Sequence, residues 1–144
     1  MSQEPGRLRL RAEALDDLSV ISALVQDALV PLGDMAYLPE EKSFMMALNR
    51  FRWESGDDAE TRERIHAGLR FDRVTRVRYR GIDRRQRGNI LSLLAIAYDQ
   101  GVSTLHFSGA GVIQLEADEL RCGLEDFGEP WPTRSVPHHD PGDT

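Results

Sequence analysis

Residues 69–82 read Leu-Arg-Phe-Asp-Arg-Val-Thr-Arg-Val-Arg-Tyr-Arg-Gly-Ile, and apolar and charged side chains alternate along the second half of this stretch. A period of two places successive side chains on opposite faces of a β-strand. Phe71, Val77 and Tyr79 then share one face with Thr75. The opposite face carries three arginines, Arg76, Arg78 and Arg80. The stretch therefore predicts the longest strand of a sheet, apolar on one side and basic on the other.

Further strands are predicted on both sides of this stretch. Residues 90–98 are apolar on both faces, which is typical of a central strand, and residues 39–42 (Pro-Glu-Glu-Lys) suit a turn between two others. Short turns between consecutive strands favour antiparallel pairing. The seven predicted strands span residues 7–13, 33–38, 43–54, 69–82, 90–98, 104–107 and 112–116.

Two helices are predicted to flank the strands. Apolar residues recur at helical spacing from Leu18 onward, Asp16 or Asp17 can cap this first helix, and it ends before Pro31. A second helix is predicted for residues 117–127, with an apolar face of Ala117, Leu120, Leu124 and Phe127. The fold class is therefore α+β: a mainly antiparallel sheet of about seven strands, in an order compatible with a half-open barrel, with an N-terminal helix and a C-terminal capping helix.

The chain of 144 residues has the length of one domain, and 40% hydrophobic residues are enough for a core. We expect residues 1–6 to be flexible, residues 7–128 to form a single α+β domain, and residues 129–144 to be an extended or disordered tail. No apolar run approaches the length of a membrane span, and residues 1–11 lack a secretory signal, so a cytoplasmic protein is predicted. The single cysteine, Cys122, excludes an internal disulfide and is expected to be unreactive.

An arginine-rich segment is the sharpest functional feature. Residues 62–87 contain ten arginines and three acidic residues, although the whole chain has a net charge of −6. Arginine forms bidentate contacts with phosphate and carboxylate groups. The candidate anion-binding residues are Arg76, Arg78, Arg80, Arg84, Arg85 and Arg87.

These arginines have three interpretations. They can form a solvated face, or they can pair with acids such as Glu116, Asp118 or Glu119. The functional alternative is that they bind a nucleic acid or an acidic protein surface. The first hypothesis for the whole chain is therefore a small cytoplasmic, non-enzymatic interaction module. Few aromatic residues accompany the segment, which disfavours base stacking.

Trp131 is a candidate partner anchor. It follows Pro130 in the predicted tail, where it would either pin the tail to the body of the protein or insert into a partner or a second copy of the chain. The histidines show no metal-ligand spacing, and no nucleophile motif or phosphate loop occurs, so neither a metal site nor a cofactor is predicted.

Two further hypotheses remain open. An enzyme with a dispersed site would use Asp27, Asp34, Asn49 and His106. The alternative for Asp27 is a structural ion pair with Arg50 or Arg52. A homo-oligomeric structural protein would associate through an exposed sheet edge or an apolar patch.

The chain also resembles a known family. The resemblance covers about residues 7–137 and rests on segments such as Gly-Asp-Met-Ala-Tyr-Leu-Pro at 33–39, Leu-Asn-Arg-Phe-Arg-Trp-Glu at 48–54 and Leu-Glu-Asp-Phe-Gly-Glu-Pro-Trp-Pro-Thr-Arg at 124–134. These segments resemble a small uncharacterised alphaproteobacterial family, a domain of unknown function. The resemblance implies a single full-length domain in a bacterial cytoplasm, and it implies no activity, cofactor or catalytic residue.

Overall fold

The computed structural model describes residues 7–55 and 63–133. In this part of the chain there are one α-helix, α1 (Leu15–Leu24), and ten β-strands. The strands are β1 (Arg9–Ala12), β2 (Ala28–Pro31), β3 (Met35–Leu38), β4 (Ser43–Phe51), β5 (Glu63–Phe71), β6 (Val74–Arg80), β7 (Ile90–Asp99), β8 (Val102–Phe107), β9 (Val112–Ala117) and β10 (Cys122–Pro132).

The strands form one open sheet in the order β1-β10-β5-β4-β2-β7-β8-β9-β6, with β3 attached to β4. Every pairing among the described strands is antiparallel. The two halves of the sheet meet at a single register pair, Leu29 of β2 and Asn49 of β4. The sheet curls, because the Tyr37 hydroxyl donates to the Val74 carbonyl (2.7 Å) and the Val74 amide donates to the Lys42 carbonyl (2.8 Å). These bonds bring one end of the sheet, β6, back to the β3–β4 hairpin.

The core lies inside this curl. Alternate residues of each strand point inward, as a period of two requires, and on β4 they are Phe44, Met46 and Leu48. Helix α1 adds Leu18 and Ile21 to the same core, and it packs against β1 and β7. Burial of this continuous apolar cluster is the main stabilising term of the fold.

The N-terminal helix is confirmed, but its predicted ends are wrong. Its N-cap is Ala14, which makes no side-chain capping hydrogen bond. Both predicted capping residues, Asp16 and Asp17, lie instead in the first turn, where their negative charges interact favourably with the positive end of the helix dipole. The helix ends at Leu24, and the segment before Pro31 is β2, which fills the position between β4 and β7. Tertiary pairing overrides the helical spacing there.

The predicted C-terminal capping helix is wrong, because residues 122–132 form β10 between β1 and β5. The apolar residues of this segment fit the spacing of a helix and also the two-residue alternation of a strand. Cys122, Leu124 and Asp126 alternate inward, and Phe127 is 46% exposed instead of facing the core. Gly123 weakens a helix, whereas β10 satisfies the backbone groups of two neighbouring strands.

The predicted count of seven strands is also wrong. The stretch 69–82 is two strands, β5 and β6, separated by Asp72 and by Arg73, which has a φ of 62°. These two strands lie in different halves of the sheet. β2 and β10 account for the other additional strands. β10 also crosses the expected domain boundary after residue 128, since Glu129 to Pro132 belong to the sheet, whereas residues 1–6 and 134–144 lie outside the described residues.

Candidate functional site

The six candidate arginines lie on β6 and on the connection from β6 to β7, and we refer to them as the arginine surface. All six are exposed, whereas Val77 and Tyr79 are half-buried. The predicted alternation is therefore confirmed from Arg76 to Arg80. Thr75 was predicted on the apolar face and is exposed instead, because the strand is irregular between Val74, which is buried, and Arg76. The members on the strand are Arg76, Arg78 and Arg80, and those on the connection are Arg84, Arg85 and Arg87.

Carboxylates contact only part of the arginine surface. Glu116 of β9 lies 3.1 Å from Arg78 and 4.0 Å from Arg76. Asp83 lies 3.1 Å from Arg85, and hydrogen bonds from Arg85 hold the pKa of Asp83 below its ordinary value. The other two acids considered as partners do not reach this surface in the described part of the chain. Pairing with acids therefore explains three of the six arginines.

The remaining three arginines have other environments. Arg84 lies over the ring of Tyr79, 4.3 Å from its centre, in a cation–π contact. Arg87 donates to the carbonyl of Gly33 (3.0 Å). Arg80 has no hydrogen-bond or ion-pair partner among residues 7–55 and 63–133. Two carboxylates thus neutralise only part of the charge of six guanidinium groups, so this surface stays positive although the whole chain is acidic.

β6 is also an end strand of the sheet. It pairs with β9 on one side, and on the other side no described strand pairs with it. Alternate backbone N–H and C=O groups of an end strand point away from the sheet and are available to another chain. The arginine surface therefore includes an open strand edge, which the sequence did not reveal.

The four residues of the dispersed enzyme hypothesis do not converge. His106 of β8 is exposed, and β2 and β7 separate it from Asn49 of β4, a distance of about 14 Å at the usual strand spacing. Asp34 is exposed in a short 3-10 turn beside β3. Asp27 is buried, and its charge acts on Arg64, which donates to Asn49 (3.0 Å).

Arg50, one of the two arginines named as partners of Asp27, is not its partner, and a pair of Asp27 with Arg52 stays a prediction. Arg50 instead lies completely buried between two carboxylates, Asp126 and Glu54. Its Nε and Nη2 atoms bond the Asp126 carboxylate at 2.9 and 2.7 Å, and its Nη1 and Nη2 atoms bond Glu54 at 2.9 and 2.7 Å. Arg52 pairs with Glu63 and lies 3.8 Å from Glu54. One signal was available in the sequence: Arg50 is in phase with Phe44, Met46 and Leu48.

Burial alone would disfavour these charges. It lowers the pKa of Arg50 and raises that of Glu54. The hydrogen bonds and charges within the cluster outweigh burial, so the pKa of Arg50 lies above its ordinary value and that of Glu54 below. Arg50 and Glu54 are therefore charged near neutral pH. Together with Asp126 they form the ion cluster, a structural link between β4 and β10.

Trp131 is half-buried at the end of β10, opposite Arg64 of β5. Its ring centre lies 4.7 Å from that of His66. The ring centres of His66 and Phe127 are 5.7 Å apart, with an angle of 12° between their planes. We call these three residues the aromatic cluster. The aromatic cluster was not predicted, because the strand predicted at residues 69–82 begins after His66.

Thiol and metal chemistry find little support. Burial and the charge of Asp72 raise the pKa of Cys122 to about 12, so the thiol stays protonated and unreactive. In the described ranges, no group of three histidine, cysteine or acidic side chains could hold a metal ion. No helix in those ranges is long and apolar enough to cross a membrane.

The fold is thus that of a single-sheet antiparallel protein with a basic edge strand and a buried ion cluster. The chain belongs to the family described as protein of unknown function (DUF2948), whose sequence profile matches residues 8–139. The family resemblance is confirmed, and the alphaproteobacterial origin stays a prediction. Neither the curated proteins nor the solved structures contain a match to the chain.

Proposed function

We propose that this protein is a non-enzymatic interaction module that binds an acidic, extended segment of a partner protein along β6. The observation that carries the proposal is the coincidence of an open strand edge with arginines at every second position of that strand. We place the module in a bacterial cytoplasm, where a buried single thiol such as Cys122 remains reduced.

Strand addition uses both features of this edge. The added segment gains main-chain hydrogen bonds from β6, and its side chains are read at alternate positions. Successive arginines on the same face are about 6.8 Å apart, which is the spacing of alternate side chains on the added strand. Acidic residues at those positions would lie opposite Arg76, Arg78 and Arg80 as favourable cross-strand pairs.

Two other occupants are less favoured. A second copy of β6 would bring arginine opposite arginine, which destabilises a cross-strand pair, so homo-oligomerisation through this edge is opposed by charge. A nucleic acid would gain phosphate contacts, but Arg84 covers Tyr79, the aromatic ring nearest to the surface, and stacking on bases needs exposed rings.

Titration of the full chain with a fluorescent peptide of alternating glutamate and threonine tests this proposal. We expect saturable binding that weakens as salt is added. Arg80→Glu reverses one charge without breaking a described ion pair, and we expect it to weaken binding by about tenfold. Hydrogen exchange should show new protection of β6 amides when the peptide is bound.

Two controls make the result specific. Arg9→Glu changes an exposed arginine on β1, the strand at the other end of the sheet, and should leave peptide binding unchanged. A peptide with lysine in place of glutamate should not bind. If single-stranded RNA or duplex DNA binds and the acidic peptide does not, the arginine surface is a nucleic-acid surface and the proposal is wrong.

A further inference from the structure

A groove of about 910 Å³ lies on the outer face of the other half of the sheet, across β3, β4, β5, β10 and β1. Its floor is made of small residues from neighbouring strands: Ala47 and Gly68 are register partners, and Gly123 lies on the next strand. Steps of two residues lead from Gly68 to His66 and from Glu125 to Phe127. The aromatic cluster therefore stands on the same face, two residues beyond Gly68 and Glu125, which line the groove.

Gly68 is a glycine that the fold itself does not require. It lies in the middle of β5, its φ is not positive, and an added Cβ would meet no atom within 4 Å. A glycine inside a strand weakens the strand, and it often marks a place where a ligand or another backbone comes close. The empty space over Gly68 opens into the groove.

The aromatic cluster beside the groove offers a stacking surface. Phe127 is 46% exposed, although large apolar side chains on this protein are mostly buried. Its ring and that of His66 are nearly parallel, with 12° between their planes, and both belong to strands with a regular outward alternation. Exposed rings on a sheet face are the usual platform for a planar heterocycle.

Part of the groove is lined by arginines of β1. Arg9 lies 3.8 Å from Glu125, an exposed and loose pair. Arg11 is exposed, and its side chain makes no hydrogen bond or close ion pair within the described part of the chain, although its charge acts on Asp72, which also lines the groove. Arg9 is opposite Glu125 and Arg11 is opposite Gly123, so both stand beside the glycine floor. Guanidinium groups in this position suit a phosphate group.

We propose that the groove binds a nucleotide, with its base on the His66 and Phe127 rings and its phosphate at Arg9 and Arg11. From strand spacing and rise, the Cα atoms of Phe127 and Arg9 are about 8 Å apart, a separation that one sugar can bridge. Gly68 lies at the edge of this path, next to His66 on the same face of β5 and opposite Glu125. The proposed contacts are on β1, β5 and β10, in the opposite half of the sheet from β6, and they do not depend on the function proposed for β6, although Arg87 of the arginine surface also lines the groove.

Calorimetric titration of the full chain with AMP, GMP, CMP and UMP tests the site. We expect at least one mononucleotide to bind and the matching nucleoside and inorganic phosphate to bind more weakly. Phe127→Ala should weaken binding by about tenfold, since base–aromatic stacking has that magnitude. Gly68→Val should abolish binding while leaving the melting temperature unchanged or higher, because a β-branched residue suits a strand and has free space there.

Gly88→Val is the matched control for Gly68→Val. An added Cβ at Gly88 also meets no atom within 4 Å, but Gly88 lies outside the groove, and its variant should bind like the parent. Arg80→Glu should bind nucleotide normally, which separates this site from the arginine surface. The proposal is overturned if no mononucleotide binds at millimolar concentration, if only a single-stranded oligonucleotide binds, or if Gly68→Val binds as the parent does.

Discussion

Arg50 and Asp126 form a bidentate ion pair between β4 and β10, and neither side chain has any exposed surface. The two residues are 76 positions apart in the chain. The Asp126 carboxylate also accepts a hydrogen bond from the backbone amide of Leu8 (2.8 Å), so it joins a third segment to the pair. This contact fixes the register of β10, because a shift by one residue would turn Asp126 to the outer face and leave the charge of Arg50 inside.

The first prediction is that Asp126→Ala strongly destabilises the protein. Arg50 would remain buried with Glu54 as its single carboxylate partner, and breaking a buried pair costs about 3–5 kcal/mol. Chemical denaturation measured by tryptophan fluorescence gives the free energy of unfolding. Adding Arg50→Met to Asp126→Leu should recover much of the loss, because no unpaired charge then remains on either strand.

Glu125→Ala, the neighbouring position on β10, is the matched control. Its carboxylate is exposed and lies 3.8 Å from Arg9, so its removal should change stability by at most about 1 kcal/mol. Equal losses for Asp126→Ala and Glu125→Ala would show that the buried pair has no special weight.

Local patterning predicted much of the sheet correctly. The turn at residues 39–42 is where the sequence places it, with Lys42 at a φ of 53°, because turn chemistry is set by neighbouring residues. The alternation in β6, the strand at residues 90–98 and the N-terminal helix were predicted for the same reason.

The errors all concern choices that depend on distant partners. The apolar residues in 117–127 suit the spacing of either a helix or a strand. This segment forms a strand because it pairs with both β1 and β5 in the sheet. The break at Asp72 and Arg73 leaves the alternation intact on both sides, so one long strand was predicted where the structure has two. The aromatic cluster required knowing that β5 starts at Glu63 and pairs with β10.

Among the candidate sites, too, those formed by neighbouring residues were predicted and those formed by distant strands were not. The arginine surface was predicted residue by residue, since it follows from one strand and its turn. The open edge, the groove and the ion cluster arise only when strands far apart in sequence become neighbours. The dispersed set of Asp27, Asp34, Asn49 and His106 did not converge, because polar residues on separate elements carry no local information about distance.

The second prediction is that stability falls in acid and that Glu54 accounts for part of the fall. The pKa of Glu54 in the folded protein is below its ordinary value of 4.5, because hydrogen bonds from Arg50 outweigh burial. This group therefore adds stability above about pH 4.5, and the added stability is lost as the pH drops through the folded pKa. The melting temperature measured from about pH 7 to about pH 3 should decline less steeply in Glu54→Gln than in the parent.

Glu40→Gln is the control, because Glu40 is exposed in the β3–β4 turn, and this variant should follow the parent curve. If Glu54→Gln also follows the parent curve, the ion cluster is not a pH-sensitive element.

The third prediction concerns the end of β10 and the role of Trp131. A chain that stops after Gly128 loses the last strand pairs to β5, at Trp131 and Pro132, and the contact of the indole with His66. Burial of about half of so large a ring is worth about 1–3 kcal/mol, so the melting temperature should fall by about 3–10 °C. A chain that stops after Pro137 keeps all of β10 and should melt like the full chain. Trp131→Ala isolates the ring from the backbone pairs and should produce a large part of the loss. If truncation after Gly128 leaves the melting temperature unchanged, Trp131 does not stabilise the sheet, and its ring is better explained as an anchor for a partner.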